Sequence, residues 1–192
     1  MKKVLLLVVL ICGGYCFAET QTWQIDPMHT AAQFSVRHMG ISTVRGIFEK
    51  TSGTVTFDPA NPSSAVIDVT IDANTVNTRV DRRDNDLRSA NFFDSAKFPT
   101  ITFKSKRVEP AGAGKLKITG DLTIHGVTKE VVLDVDGPSA AISDPMGNSR
   151  MGASASTKIS RKDFGVNGAA AMVGDEIEIV LDVEMVKPHA AK

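Results

Sequence analysis

The side chains that could do chemistry in this 192-residue chain are four histidines, two cysteines and a large set of carboxylates. His29 and His38 lie nine apart, so one unbroken strand would put them on opposite faces. His125 stands beside Gly126, and His189 lies in the C-terminal tail. No H-x-x-x-H or HExxH spacing occurs, and Cys12 and Cys16 both fall in an N-terminal apolar run, which argues against a zinc site. The expectation is no metal and no cofactor, with His29 and His125 making hydrogen bonds at turns or strand ends. Nucleophilic catalysis has no G-x-S-x-G elbow and no P-loop to work with, only ordinary hydroxyls. An acid–base pair inside a pocket would interrupt the apolar side of a strand with a carboxylate, and no segment shows this clearly. No catalytic residue is expected, with an enzyme acting on a lipophilic substrate kept as an alternative.

The N-terminus decides the compartment. Lys2 and Lys3 precede an apolar run, Val4 to Phe17, and Cys16-Phe17-Ala18 offers a small-x-small cleavage site before Glu19. The run is too short to span ~30 Å of hydrocarbon, so residues 1–18 read as a cleaved export signal and 19–192 as one domain, not membrane-spanning. A lipoprotein signal would want a small residue before its cysteine, but Cys12 follows Ile11 and Cys16 follows Tyr15. Cleavage removes both cysteines, so the mature chain must be held by its core alone, which ~170 residues can supply. It also lowers Lys+Arg from 22 to 20 against 22 Asp+Glu, a net charge of −2. With no basic surplus to neutralise phosphates, nucleic acid is not an expected partner. Trp23 and eight Phe are the aromatics left, suited to an apolar lining rather than a stacking platform.

The elements that must position any site are strands. In Gly120–Val135, Leu122 and Ile124 alternate with polar residues, Gly126 marks a reversal, and Val131, Leu133 and Val135 alternate on the way out. Phe34, Val36 and His38 share a face, as do Val44, Gly46 and Phe48, and Val55 with Phe57. Ala65, Ile67, Val69, Ile71 and Ala73 alternate, as do Met151, Ala153, Ala155, Thr157 and Ile159, whose small residues leave room for something else. The last strand carries Ile177, Ile179, Leu181, Val183 and Met185. Between Asn77 and Phe93 the alternation stops and charges of both signs crowd in, which predicts one short helix over 80–89. Its charges read as a solvated face; the other reading is a lid with Phe92 and Phe93 turned inwards. About eight to ten strands with no βαβ rhythm predict an all-β antiparallel sandwich or barrel. A barrel of about eight strands either fills with its own side chains or holds one small ligand.

Nine motifs in order resemble the YceI-like family of exported lipocalin-like proteins. They include Asp26-Pro-Met-His29-Thr30, Ser42-x-Val44-x-Gly46-x-Phe48 and Arg83-Asp84-x-x-Leu87-Arg88-Ser89-x-x-Phe92-Phe93-Asp94. Phe98-Pro99-x-Ile-x-Phe103, Gly120-Asp-Leu-Thr-Ile-His-Gly-Val-Thr128 and Ile159-x-Arg161-x-Asp163-Phe164-Gly165 belong to the same set. The resemblance implies a lipocalin-like antiparallel β-barrel of about eight strands with one short helix, periplasmic, with a long hydrophobic pore for polyisoprenoid or quinone-like lipids. The chain departs from the family pattern at Met146, Ala153 and Asp86, where Trp, Phe and His are common, which changes the shape and polarity of the pocket.

Binding of such a ligand rests on hydrophobic transfer, at roughly 25 cal/mol per Å² of apolar surface buried. The lining is therefore collective. By parity its candidates are Phe34, Val36, Val44, Phe48, Phe57, Ile71, Phe103, Leu122, Ile124, Met151 and Ile179, with Phe92, Phe93 and Phe164 at a rim or lid. Arg88 and Arg150 are the candidate contacts for a polar head group, since a guanidinium forks onto phosphate or carbonyl oxygens. A carrier of a long-chain isoprenoid or similar lipid is the leading reading. An enzyme in the same pocket and a ligand-free, stress-related structural protein with a filled barrel are the alternatives. A long ligand with a protruding end would favour a homodimer.

Overall fold

Alternation every two residues gives each segment one apolar side, and the structure, a computed structural model describing residues 20–58 and 61–189, joins those segments into one antiparallel sheet. The expected export signal, with Cys12 and Cys16, lies outside the described residues. The strands are β1 (Gln21–Ile25), β2 (Ala31–His38), β3 (Ser42–Phe48), β4 (Thr51–Phe57), β5 (Val66–Asp72), β6 (Val76–Asn77), β7 (Thr100–Pro110), β8 (Lys115–Ile124), β9 (Val127–Asp136), β10 (Ile142–Ser143), β11 (Ser149–Ser160) and β12 (Val173–Lys187). One α-helix, α1 (Asp81–Arg88), lies where the charge-dense segment predicts it.

Eight of the strands close a ring. β1 pairs with β4, β4 with β5, β5 with β7, β7 with β8, β8 with β9, β9 with β11, β11 with β12, and β12 returns to β1. The seam is β12. One side pairs with β11 from Ser160↔Glu176 to Ser149↔Lys187. Its other side is shared: β1 takes Met185 and Val186, while β2 takes Ile177 to Asp182. The intervening turn at Asp26-Pro27 breaks what would be one strand, since Pro27 has no N–H for a ladder. Beyond β2, β3 and β6 extend the sheet outside the ring.

Two local features bear on the interior. His125 and Gly126 have φ of 53° and 76°, so the weak His-Gly signal is a two-residue hairpin turn with both residues left-handed. The His125 ring packs edge-on against Phe98 at 4.7 Å. At Gly46 a Cβ would stand 2.4 Å from the Phe34 ring, so glycine is what lets that phenyl approach β3.

The helix begins with Asp81 and Asp84 and ends with Arg88, complementing its dipole at both ends. Its charges are less solvated than the sequence suggests. Asp84 is buried and accepts from the Thr78 N–H at 2.9 Å, while Arg83 donates to the Thr78 carbonyl at 2.9 Å. The following turn is pinned back on the helix by Phe93 N–H to the Leu87 carbonyl and Ser95 N–H to the Arg88 carbonyl, each 2.9 Å. No helix among the described residues is long and apolar enough to cross a membrane.

Candidate functional site

The inward side chains of the ring do not meet. They enclose a cavity of about 260 Å³ whose wall is almost wholly apolar. β2 brings Phe34 and Val36 to it, β3 brings Phe48, β4 brings Phe57 and β5 brings Ile71. Phe103 comes from β7, Leu122 and Ile124 from β8, Met151 from β11, and Ile179 from β12. Phe164 reaches the wall from the 3-10 turn after β11. Phe92 and Phe93 reach it with Leu87, which fits the lid arrangement better than an evenly solvated helix. Phe48 joins the two groups: its ring centroid is 5.7 Å from Phe34 and 5.6 Å from Phe93.

Parity also carried residues that were not singled out. Ile67 and Val69 on β5, Ile118 on β8, Leu133 on β9, Ala153 and Ala155 on β11, and Leu181 on β12 all line the same cavity. The two alanines hold open the space that the small-residue stripe suggested.

Three expected residues are elsewhere. Val44 pairs with Val36, but β3 lies outside the ring at that point, and the wall does not include it. Arg88 faces away from the cavity, donating to the carbonyls of Asn74 (3.3 Å) and Val76 (3.1 Å) and to Asn85 Oδ1 (2.8 Å). Arg150 alternates with inward Met151 and so lies on the outer face of β11. Its Nη1 donates to Asp26 Oδ2 and Glu184 Oε1, each at 2.6 Å, and its Nε to Asp144 Oδ2 at 2.8 Å. Both arginines are committed to the protein, not to a head group.

This carboxylate cluster has strong electrostatics. Arg150, helped by Asn148, holds Asp144 down to about 2, and Arg150 with His29 holds Asp26 well below the usual carboxylate range. Asp144, Asp26 and Glu184 in turn raise the Arg150 guanidinium. His29 Nδ1 lies 3.0 Å from Asp26 Oδ2, the turn hydrogen bond expected of it. Asp26, His29 and Glu184 have ligand atoms within 4.8 Å of one another, a spacing that could hold a cation. Arg150 Nη1 already bridges the two carboxylates, so the positive charge there is the guanidinium.

A third arginine, not among the expected residues, does touch the cavity. Arg161 is 4% exposed, and it donates Nε to the Gly174 carbonyl at 2.8 Å, Nη1 to Val166 (2.7 Å) and Gly168 (2.8 Å), and Nη2 to Val173 (3.0 Å). Burial pulls its pKa down, with the charge of Asp175 opposing. The only sequence signal for it was its place in Ile159-x-Arg161-x-Asp163-Phe164-Gly165. Its work is to order the 165–174 segment, where Gly168 abuts the Phe92 ring so closely that a Cβ would stand 2.9 Å away.

Comparison with known proteins gives one consistent answer. The family model described as YceI-like domain matches residues 23–185. A UPF0312 protein of Vibrio cholerae is 37% identical over 185 residues, 93% of this chain and 97% of the relative. Protein YceI of Salmonella paratyphi B is 38% identical over 191 residues, 97% of this chain and 99% of the relative. Among solved structures, a Campylobacter jejuni YceI protein is 36% identical with a TM-score of 0.70, covering 80% of this chain and 90% of that one. A polyisoprenoid binding domain from Saccharophagus degradans shares the fold at 17% identity and a TM-score of 0.64, covering 86% of this chain and 98% of that one.

Proposed function

The chain belongs to the YceI-like family, and from that premise we propose that it is a periplasmic binding protein that carries or sequesters a long apolar lipid of the polyisoprenoid or quinone-like class, without covalent chemistry. The observation that carries this reading is the apolar wall: strands from all round the ring turn aliphatic and phenyl side chains onto one cavity, and the two arginines nearest its ends are spent on protein acceptors. Each CH₂ taken from water into such a space contributes about 0.8 kcal/mol, so a chain of several isoprene units needs few polar contacts. The Saccharophagus degradans domain of the same fold is named for polyisoprenoid binding, which supports the same class here. An open cavity also favours a ligand over the filled-barrel alternative.

Native mass spectrometry of protein purified without detergent, with organic extraction of what co-purifies, tests this. A discrete added mass that extracts as a polyisoprenoid or prenylated quinone is expected. A protein that is ligand-free and takes up no isoprenoid on incubation would overturn the reading. Export is tested by fractionation and N-terminal sequencing: a periplasmic protein starting at Glu19 is expected, and a cytoplasmic protein retaining residues 1–18 would overturn it.

A further inference from the structure

The cavity wall has one buried polar atom with nothing to bind. Thr51, the first residue of β4, is 5% exposed and lines the cavity, and its Oγ1 has no hydrogen-bond partner among the described residues. Other polar groups on the wall are accounted for. Thr30 Oγ1 donates to the Glu184 carbonyl and Gln33 Nε2 to Asp182 Oδ2, both at 3.4 Å, and Arg161 is spread over four carbonyls. Thr102 and Thr157 are only partly buried. A second orphan, Trp23 Nε1, belongs to a side chain packed with Phe57, Met151 and Met185 and is not on the wall.

A buried hydroxyl without a partner destabilises the folded protein, a cost that a valine of the same shape would avoid. Resting on the reading of the barrel as a lipid site, we infer that Thr51 is the polar contact of that site, its hydroxyl donating to the carbonyl oxygen of a neutral, oxygenated lipid. The carbonyl follows from counting protons. A ligand hydroxyl brings a proton of its own, so one proton at the contact is unpaired whichever group donates, whereas a carbonyl accepts the Thr51 proton and leaves none. A carboxylate or phosphate would need a free cation, and four N–H groups of Arg161 are already bound. Thr51 lies three residues after Phe48, a span of at most about 10 Å, and Phe48 packs on Phe34 and Phe93, which directs the polar end towards those rings. Val55 and Phe57 continue the wall about 13 and 20 Å along the strand, and the tail runs that way, towards Met151 and Met185.

The test compares two isoprenoid probes, farnesylacetone (a ketone) and β-farnesene (a hydrocarbon), each displacing N-phenyl-1-naphthylamine from wild type, Thr51→Val and Thr51→Ser. Thr51→Val is expected to weaken the ketone about tenfold, the worth of one hydrogen bond, and to leave the hydrocarbon unchanged. Thr51→Ser keeps the ketone preference. Ligand-free Thr51→Val is expected to melt higher than wild type, because it loses an unpaired hydroxyl. If valine changes both probes alike or neither, or lowers the melting temperature, the role of Thr51 is overturned while the lipid-binding reading stands. If wild type binds neither probe, that reading falls and takes this inference with it.

Discussion

At one end of the barrel Arg150 sits outside the wall and binds Asp26, Asp144 and Glu184; at the other, Arg161 is buried in the wall and donates only to backbone carbonyls. The interior differs in step. Beside Arg150 the barrel is plugged by Trp23, 2% exposed, packed on Phe57, Met151 and Met185. Beside Arg161 it is covered by Leu87, Phe92 and Phe93, contributed by a short helix and a turn rather than by strands. A charge neutralised by three carboxylates clamps β10, β11, β12 and the Asp26 turn into one unit. The Arg161 guanidinium, hydrogen-bonded to four backbone carbonyls and attracted by the Asp175 charge, orders the 165–174 loop beside the cover. The first arrangement ties four segments of the barrel together; the second lies beside a cover made of one short helix and a turn, outside the strand ladder.

The sharpest way to break this contrast is Trp23→Ala. Emptying the plug is expected to cost about 3–5 kcal/mol in denaturant unfolding, and a loss as small as that of a lid variant would erase the distinction between the ends. Phe93→Ala, at the partly buried cover, is expected to cost about 1–2 kcal/mol and to speed lipid release several-fold in a stopped-flow displacement assay. Equal release rates would place the exit elsewhere. Ala155→Trp fills the mid-cavity between the ends: lipid stoichiometry by native mass spectrometry is expected to fall while unfolding shifts by under about 1 kcal/mol, because the indole enters existing space. Unchanged stoichiometry in the folded variant would put the ligand outside that stretch of the barrel.

The smallest effect is in acid. Asp144 is held at about 2 in the folded protein, below its unfolded value of about 4. Its contribution is therefore fully present above about pH 4 and is lost as the pH falls towards 2, because the unfolded chain takes up the proton first. Asp144→Asn is expected to flatten the fall of stability between pH 4 and pH 2 while leaving lipid binding at pH 7 unchanged. An unaltered acid profile would mean that Arg150 does not depend on this carboxylate.

Much of the wall was legible residue by residue, because facing is local. A side chain's side of a strand alternates with its neighbours' whatever the strand pairs with, so Phe103, Leu122, Ile124, Met151 and Ile179 could be assigned inwards from their own segments, as could the alanines at 153 and 155. The short helix and the His125-Gly126 reversal are local in the same sense. Long-range pairing lay beyond such reasoning. Val44 has the right parity, yet it misses the cavity because β12 gives one part of its edge to β1 and another to β2, leaving β3 outside the ring. Arg150 and Arg88 looked free in the sequence, since Glu184 is 34 residues from Arg150 and Asp26 is 124. Local alternation sets which side of each strand is apolar. That those sides enclose a cavity, that the cations are spent and that Thr51 keeps an unpaired hydroxyl follow from the closed ring, because closure and partnership depend on register between distant segments.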